Sequence, residues 1–328
     1  MKHVLVTGGS GFIGSAVVDE LLYYGYTVTV FDRVINDWTK KLDVEVLNFD
    51  LNKFGLHSYY KKFDAIIHMA ASHVVPESVA DPLKYYQNNM CSMLRLLEYA
   101  KETDVKIVFS SSAAVYDASA SKIDENRTTT PLNPYGQTKL WSEQMLEAVY
   151  HAHGISSVSL RYFNVAGSGK NHGYNSKTPT HAVPILLKSI INNTPFKVFG
   201  NDYSTKDGTC VRDYLHVQDV AHAHVLALQY LESHRCAEPF NLGSGNGTSM
   251  LELINTTERV LDKSINFQYD IRRIGDPPSL VANAEKAEKI LGWKPERNLE
   301  QIILDSWKWE TNGLCNRNPE LSPRKNAA

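Results

Sequence analysis

No stretch of the chain approaches the ~18 consecutive apolar residues that a membrane span needs. Neither sign of charge predominates: 34 Lys and Arg stand against 36 Asp and Glu, a formal charge of −2. The electrostatic footprint of a nucleic-acid or membrane-surface protein is therefore missing. Cysteine is sparse. Cys91, Cys210, Cys236 and Cys315 are scattered with no C-x-x-C pair, which predicts a reduced cytoplasmic chain with free thiols. No H-E-x-x-H occurs, and His151/His153 and His222/His224 sit two apart on predicted helices, where side chains do not share a face. No metal site is expected. Met1 to Gly8 carries one lysine and no long apolar segment, so a strand running into a turn is expected there rather than a secretory leader.

What the chain does have is the composition of an ordinary globular protein, 43% hydrophobic and 21% charged over 328 residues. That length suggests about two domains. Strands are predicted at His3–Thr7, Thr27–Phe31, Glu45–Phe49, Ala65–His68, Lys106–Ser110 and Ser157–Arg161, several almost continuously apolar, as parallel strands covered on both faces are. Helices are predicted at 12–24, 83–101 and 134–153. The last is the best marked: Asn133 can cap it, Pro134 suits its first position and Gly154 can end it. Trp141, Met145 and Val149 give it an apolar stripe. This alternation predicts an α/β fold, a Rossmann-like doubly wound parallel sheet over residues 1–164. Residues 165–180 read as a long loop. Beyond it a smaller mixed α/β domain is expected over 165–328, with helices near 181–192, 217–232, 249–262 and 299–311 and strands near 196–199 and 265–269. Segments near 210–245 are expected to return to the first domain. Asn316 to Ala328 reads as a loose tail.

Thr7-Gly8-Gly9-Ser10-Gly11-Phe12-Ile13-Gly14 follows the first strand and opens the first helix. Glycine alone takes positive φ in the tight turn and lets the backbone approach a diphosphate, while the helix N-terminus offers free N–H groups. Asp32 closes the second strand at the distance where a carboxylate accepts from the adenosine ribose and repels a 2′-phosphate, which favours NAD over NADP; Arg33 beside it softens that preference. Tyr135-x-x-x-Lys139 begins the capped helix with both side chains on one face, a turn apart. A phenol titrates near pH 10, and a neighbouring ammonium stabilises the phenolate that takes a proton. Alone, such a pair is common on helix surfaces. Ser110-Ser111-Ser112 ends a buried strand, where doubly wound sheets place their ligands, and supplies a hydroxyl to orient a reacting oxygen. Arg212 and Arg273 suit an anion clamp, since a guanidinium fork matches phosphate oxygens.

Thr-Gly-x-x-Gly-x-x-Gly, the strand-end serine and Tyr-x-x-x-Lys together resemble the extended short-chain dehydrogenases/reductases, and more narrowly the UDP-glucose (UDP-galactose) 4-epimerases. The resemblance extends through Pro82-Leu83-Lys84-Tyr85-Tyr86, Leu160-Arg161-Tyr162-Phe163-Asn164, Gly208-Thr209-Cys210-Val211-Arg212-Asp213-Tyr214 and Leu291-Gly292-Trp293, and covers nearly the whole chain. It implies that Tyr135 is the base, Lys139 its electrostatic partner and Ser112 the third catalytic member. It implies NAD as cofactor: Gly8, Gly11, Phe12, Ile13 and Gly14 at the diphosphate, Asp32 and Arg33 at the ribose, and Asp50 and Leu51 at the adenine. Met69, Ala70, Ala71, His73, Asn88 and Phe163 line the rest of that cleft. A UDP-hexose would be gripped by Asn164, Arg212 and Arg273 at its diphosphate, by His181, Ala182, Lys197, Val198 and Phe199 at its uracil, and by Asp276 at its ribose. Leu280 stands where the family often has Tyr or Cys, at the hexose wall, which bears on whether N-acetylated sugars are accepted. A homodimer built on the helices at 83–101 and 134–153 is implied too, although burial within one chain accounts for those helices equally.

Two other readings use the same scaffold. A 4,6-dehydratase or UDP-glucuronate decarboxylase is one; a dehydratase resembling known ones has an Asp-Glu pair after the strand-end hydroxyl, where this chain has Ala113 and Ala114. A non-enzymatic NAD-sensing protein is the other, expected to have lost Tyr, Lys or Ser.

Overall fold

A computed structural model of the chain describes residues 3–53, 56, 62–117, 122–176, 179–273 and 276–317. Strand β1 (His3–Thr7) leads into α1 (Phe12–Tyr23), followed by β2 (Thr27–Phe31), β3 (Glu45–Leu47) and β4 (Ala65–His68). Helices α2 (Val75–Ala80), α3 (Pro82–Tyr85) and α4 (Cys91–Thr103) precede β5 (Lys106–Ser112), and α5 (Pro134–His153) joins it to β6 (Ser157–Tyr162). The chain leaves this sheet through β7 (Asn164–Ala166), α6 (Ala182–Asn192), β8 (Phe196–Phe199) and β9 (Val211–His216). Helix α7 (Val217–Ser233) carries it back to β10 (Ala237–Leu242). It ends with β11 (Gly247–Ser249), α8 (Met250–Leu261), β12 (Phe267–Asp270), β13 (Ser279–Leu280) and α9 (Leu299–Arg317).

Seven strands form one parallel sheet in the order β3-β2-β1-β4-β5-β6-β10. The order reverses between β1 and β4, and a doubly wound sheet opens its ligand crevice at that switch point. Both faces of the central strands are covered, which is why they read as unbroken apolar runs. Val4, Val6, Val17, Leu21, Val220 and Leu228 form the core under α1 and α7; Leu5, Ile66, Leu96, Ile107 and Leu146 form the core under α4 and α5. Beside the sheet, β11, β9, β13 and β7 make a small mixed sheet and β12 pairs with β8, around a separate core that includes Leu186, Val198, Leu253 and Ile303. No helix among the described residues is long and apolar enough to cross a membrane.

Capping sets the helix that matters most. Asn133 Oδ1 accepts from the Gly136 amide at 2.9 Å, Pro134 follows it, and Gly154 ends the helix at φ 73°. Its apolar stripe borders the face it buries, and only its lower part, Met145 and Val149, packs on the sheet core. Trp141 is 38% exposed and leans on Tyr86, and Met145 and Val149 are half-buried. The buried face carries Gly136, Thr138, Lys139, Ser142 and Leu146 instead. Polar side chains take the inner positions because that face meets the end of β5. The helix expected over 83–101 is in three pieces, with a π-helical turn at Tyr86–Met90 between α3 and α4. Strand β3 stops at Leu47 rather than Phe49, β5 and β6 run on to Ser112 and Tyr162, and β12 lies at 267–270 rather than 265–269. Helix α9 continues to Arg317, into the expected tail; residues 318–328 lie outside the described residues.

Candidate active site

The carboxyl ends of β1, β2, β4 and β5 surround the glycine loop. Gly8 takes φ 73°, and a Cβ there would stand 2.8 Å from the Ala70 amide nitrogen. A Cβ on Gly14 would stand 2.1 Å from the Gly8 carbonyl oxygen. Both glycines are therefore required by close approach, and Gly8 by its backbone angle as well. Gly11 precedes α1 without contributing a side-chain cap, so the first-turn amides at Phe12 and Ile13 remain available to an anion. Asp32 lies one residue beyond β2; its carboxylate accepts from the Ser10 amide at 3.0 Å and the Val34 amide at 3.1 Å. Burial raises its pKa, with these amides and Arg33 opposing the rise. The uncapped helix start, the two close approaches and the strand-end carboxylate fit a dinucleotide.

Around this loop Arg33 Nη1 reaches Asn88 Oδ1 at 3.5 Å, and Asn88 donates to Ser72 Oγ at 3.2 Å. Asp50 accepts from the Asn52 amide at 3.0 Å, and Leu51 is buried beside it. Met69 follows β4 and donates its amide to Thr7 O at 3.0 Å; Ala70 faces Gly8 and Ala71 leads on to His73. His73 stacks on His181 with centroids 6.4 Å apart, joining the sheet's edge to the N-cap residue of α6. Burial holds both imidazoles below their usual pKa, His181 at about 4.

At the end of β5 three consecutive serines engage α5. Ser112 stands beside Tyr135 and its Oγ accepts from the Ala114 amide at 3.1 Å, the Ser110 carbonyl accepts from Lys139 Nζ at 2.6 Å, and Ser111 Oγ donates to Glu143. Tyr135, Lys139 and Glu143 are successive steps of four along one face of the helix. Gly136 allows the approach, since a Cβ there would come within 2.1 Å of the Ala114 carbonyl oxygen. Lys139 Nζ lies 5.8 Å from the Tyr135 ring centroid and 4.8 Å from that of Phe109. Burial pushes Lys139 down to about 7, with the Glu143 carboxylate opposing it. Burial also raises Tyr135 above the ordinary phenol value, with the neighbouring Ser112 hydroxyl opposing it. Desolvation is the larger effect at both groups, so the helix spacing alone does not make a phenolate.

The remaining candidate residues follow β6 in the chain. Phe163 is buried, and Asn164 Nδ2, also buried, has no partner among the described residues. Arg212 donates to Asp276 Oδ1 at 2.5 Å, which pairs two residues expected to act on different parts of a ligand. The Arg273 guanidinium lies 4.0 Å over the Phe199 ring. Ala182 opens α6. Lys197 points outward to Asp270 at 2.9 Å, and Val198 is wholly buried in the lobe's core. Their side chains do not join the cleft, so only their backbone remains for a base. Leu280 pairs with Arg212 across the small sheet and packs with Ala113, Leu140 and Phe163.

Three polar residues here escaped the sequence reading. Asn89 is buried in the π turn, donating to Thr138 Oγ1 and Ser72 O, each at 3.0 Å, and tying the cleft loop to α5. Glu143 and Arg161 form a buried pair, joined at 2.5 Å with side chains 9% and 6% exposed. Removing one partner of such a pair typically costs about 3–5 kcal/mol. The available signal was a glutamate one turn beyond Lys139 and an arginine as the one charged residue of a strand.

A parallel sheet with this strand order, a glycine loop at its switch point and a Ser–Tyr–Lys cluster at the next strand end define a dinucleotide-dependent enzyme of the Rossmann class. The chain belongs to the NAD dependent epimerase/dehydratase family, whose match spans residues 4–243. It is 41% identical over 329 residues to a UDP-glucose 4-epimerase of Lacticaseibacillus casei, covering 96% of this chain and 99% of that one. Among solved structures it resembles a UDP-glucose-4-epimerase from Stenotrophomonas maltophila with bound NAD and formylated UDP-arabinopyranose, with TM-score 0.91, 34% identity and coverage of 97% and 100%. It also resembles a UDP-glucose 4-epimerase from Bifidobacterium longum in complex with NAD+ and UDP, with TM-score 0.89, 36% identity and coverage of 95% and 99%.

Proposed function

We propose that the protein is an NAD-dependent UDP-glucose/UDP-galactose 4-epimerase that inverts C4 through a 4-keto sugar. The observation that carries this reading is the buried Lys139, 5.8 Å from the Tyr135 ring and donating to the Ser110 carbonyl at the end of β5, where Ser112 stands beside Tyr135. Gly8, Gly11, Phe12, Ile13 and Gly14 hold the NAD diphosphate, Asp32 and Arg33 the adenosine ribose, and Asp50 and Leu51 the adenine. Met69, Ala70, Ala71, His73, Asn88 and Phe163 line the remainder. Bound NAD supplies a hydride acceptor for C4 and a donor back to the other face of that carbon. Tyr135 Oη takes the 4-hydroxyl proton and later returns it; Ser112 Oγ orients the same oxygen; Lys139 favours the ionised tyrosine. Asn164, His181, Ala182, Arg212, Arg273 and Asp276, with the backbone at 197–199, anchor UDP while the hexose turns. Residues 1–164, with the segment near 210–245, make the NAD lobe, and the rest of 165–328 the UDP-sugar lobe.

The dehydratase reading is disfavoured by chemistry at the strand end. Ala113 and Ala114 follow Ser112, and Ala113 is buried among apolar side chains, so no acid or base stands there to eliminate water. The half-open wall at Leu280 supports activity on UDP-GlcNAc/UDP-GalNAc as well. Free thiols at Cys91, Cys210 and Cys236 support a cytoplasmic, reduced location. Exposed Leu83 (70%), Leu94 (51%) and Trp141 (38%) on α3, α4 and α5 support a homodimer through these helices. Reduced-nicotinamide absorbance in the isolated protein after adding UDP-galactose tests the function. A rise together with formation of UDP-glucose is expected. No change in either, or release of a 4-keto-6-deoxy sugar, would contradict it.

A further inference from the structure

Resting on that reading, we propose that Glu143 is a positioning residue for the Tyr135–Lys139 pair, supplying the negative charge that keeps Lys139 an ammonium. Its carboxylate sits one helical turn beyond Lys139 on the same face of α5. It accepts from Ser111 Oγ and, in a two-pronged contact, from Arg161 Nε at 2.9 and 3.2 Å and Arg161 Nη2 at 2.5 Å. Arg161 Nη1 in turn donates to Tyr116 Oη at 2.7 Å, and Tyr116 donates to Asn241 Oδ1 at 2.8 Å. One buried polar network therefore links α5, β5, β6 and β10. A helix that needed only to pack could present leucine there.

The surroundings of Lys139 explain why a carboxylate is needed. From β4 comes His68, and from the loop after it His73; burial holds both below the usual imidazole pKa, so neither supplies charge of either sign at pH 7. From β5 come the Phe109 ring and the Ser110 carbonyl. From β6 comes Tyr162, which donates to Ser110 Oγ and which burial keeps protonated. From α5 itself come Tyr135 and Glu143. Arg161 faces Glu143 from β6, and Tyr85 faces Tyr135 from α3. Burial alone drives Lys139 toward the neutral amine, and Glu143 is the group that opposes this. Glu143 touches neither cofactor nor substrate positions. It acts through Lys139, and through Ser111 it also sets the register of the serine run against α5.

The test compares wild type, Glu143→Gln and Glu143→Asp as holoenzymes, reading the pH profile of kcat on UDP-galactose alongside KM. Glu143→Gln should move the alkaline limb of kcat down by about one pH unit, roughly a tenfold loss on that limb, with KM little changed. Glu143→Asp, which keeps the charge, should hold the limb near wild type. Because Glu143→Gln leaves Arg161 unpaired, the double variant Glu143→Gln/Arg161→Gln keeps a neutral hydrogen-bonded pair and should show a limb displaced in the same direction but by less, since the more distant Arg161 cation is removed as well. An activity-free readout is Tyr135 ionisation, taken as the phenolate absorbance of each protein minus that of its Tyr135→Phe counterpart; its midpoint should rise in both Gln variants. A folded Gln variant with the wild-type limb and midpoint would overturn the proposal, as would equal displacement by Asp and Gln. An inactive wild type would instead overturn the epimerase reading and leave the Tyr135 titration to decide the role of Glu143.

Discussion

Lys139 Nζ lies 2.6 Å from the carbonyl oxygen of Ser110, so the ammonium is anchored to the strand and not to the tyrosine on its own helix. The Tyr135 ring centroid is 5.8 Å away. Tyr135 sits one helical turn before Lys139, beside Ser112 at the end of the same strand. A shift of α5 along β5 would break the lysine's anchor and carry the tyrosine with it.

Tyr135→Phe removes one oxygen and no packing volume. Its effect should be confined to proton transfer, lowering kcat at least about a hundredfold while NAD content and UDP-sugar binding stay near wild type. Steady-state kinetics with a cofactor assay on the same preparation decide it. Near-normal turnover would remove Tyr135 from the mechanism.

Asp32→Ala should weaken NAD retention and narrow the preference over NADP, since the carboxylate accepts from a ribose and repels a 2′-phosphate. It should also lower stability by about 1–3 kcal/mol, because the Ser10 and Val34 amides lose their acceptor. Cofactor content and NAD/NADP competition, measured with Tm, separate the two effects. Unchanged retention with lowered Tm would make Asp32 a loop-holding residue only.

Much of this was legible from the chain. The bounds of β1, β2, β4 and α5 agree with the expected ones because strong local signals mark them: unbroken β-branched runs, an Asn-Pro start and a terminal glycine. Strands β9 and β10 were not foreseen. Val211–His216 carries Arg212 and Asp213, and Ala237–Leu242 carries Glu238, Pro239 and Asn241, so neither has a strand's apolar pattern. Tertiary partners override it: Asp213 accepts the Gly245 and Ala282 amides at 3.0 and 3.1 Å, and Asn241 donates to Ile123 O at 2.9 Å. Pro239 is tolerated because β10 is an edge strand. At the site, spacing placed Tyr135 and Lys139 on one helix face and the serine run at a strand end, while the choice of Ser112 among the three serines came from the family resemblance; Glu143–Arg161 depends on two elements meeting across the sheet.

Leu280 is half-buried against the apolar cluster that includes Ala113 and Phe163. Leu280→Tyr should suppress epimerisation of UDP-GlcNAc and largely spare UDP-galactose. Room for the acetamido group is necessary but insufficient, since an unpaired amide costs about 1–3 kcal/mol. Rates on both sugars in wild type and variant are the measurement. Equal loss on the two, or no wild-type activity on the acetylated sugar, would show that Leu280 does not set the sieve.

Acid should destabilise the fold before the carboxylates titrate. Burial lowers His68 to about 3 and His181 and His224 to about 4, against 6.5 in a free chain. Folded values below the unfolded one mean that this stability is present above about pH 6.5 and is lost as pH falls toward 4, at up to about 1.4 kcal/mol per pH unit per group. His224 is buried, with Nδ1 2.8 Å from Val220 O and its ring 5.8 Å from that of Tyr162. Thermal unfolding against pH should show a slope one proton shallower in His224→Gln. An unchanged slope would mean that His224 does not titrate this way.

The most direct measurement follows the hydrogen at C4. UDP-galactose deuterated at that carbon is incubated with the isolated protein, with no NAD added, and the UDP-glucose formed is examined by mass spectrometry. Epimerisation through a 4-keto sugar, with the removed hydride held by the protein's own cofactor and Tyr135 moving only the hydroxyl proton, predicts that the deuterium stays at C4 of the inverted product. Loss of the label to solvent, or no UDP-glucose at all, would contradict it.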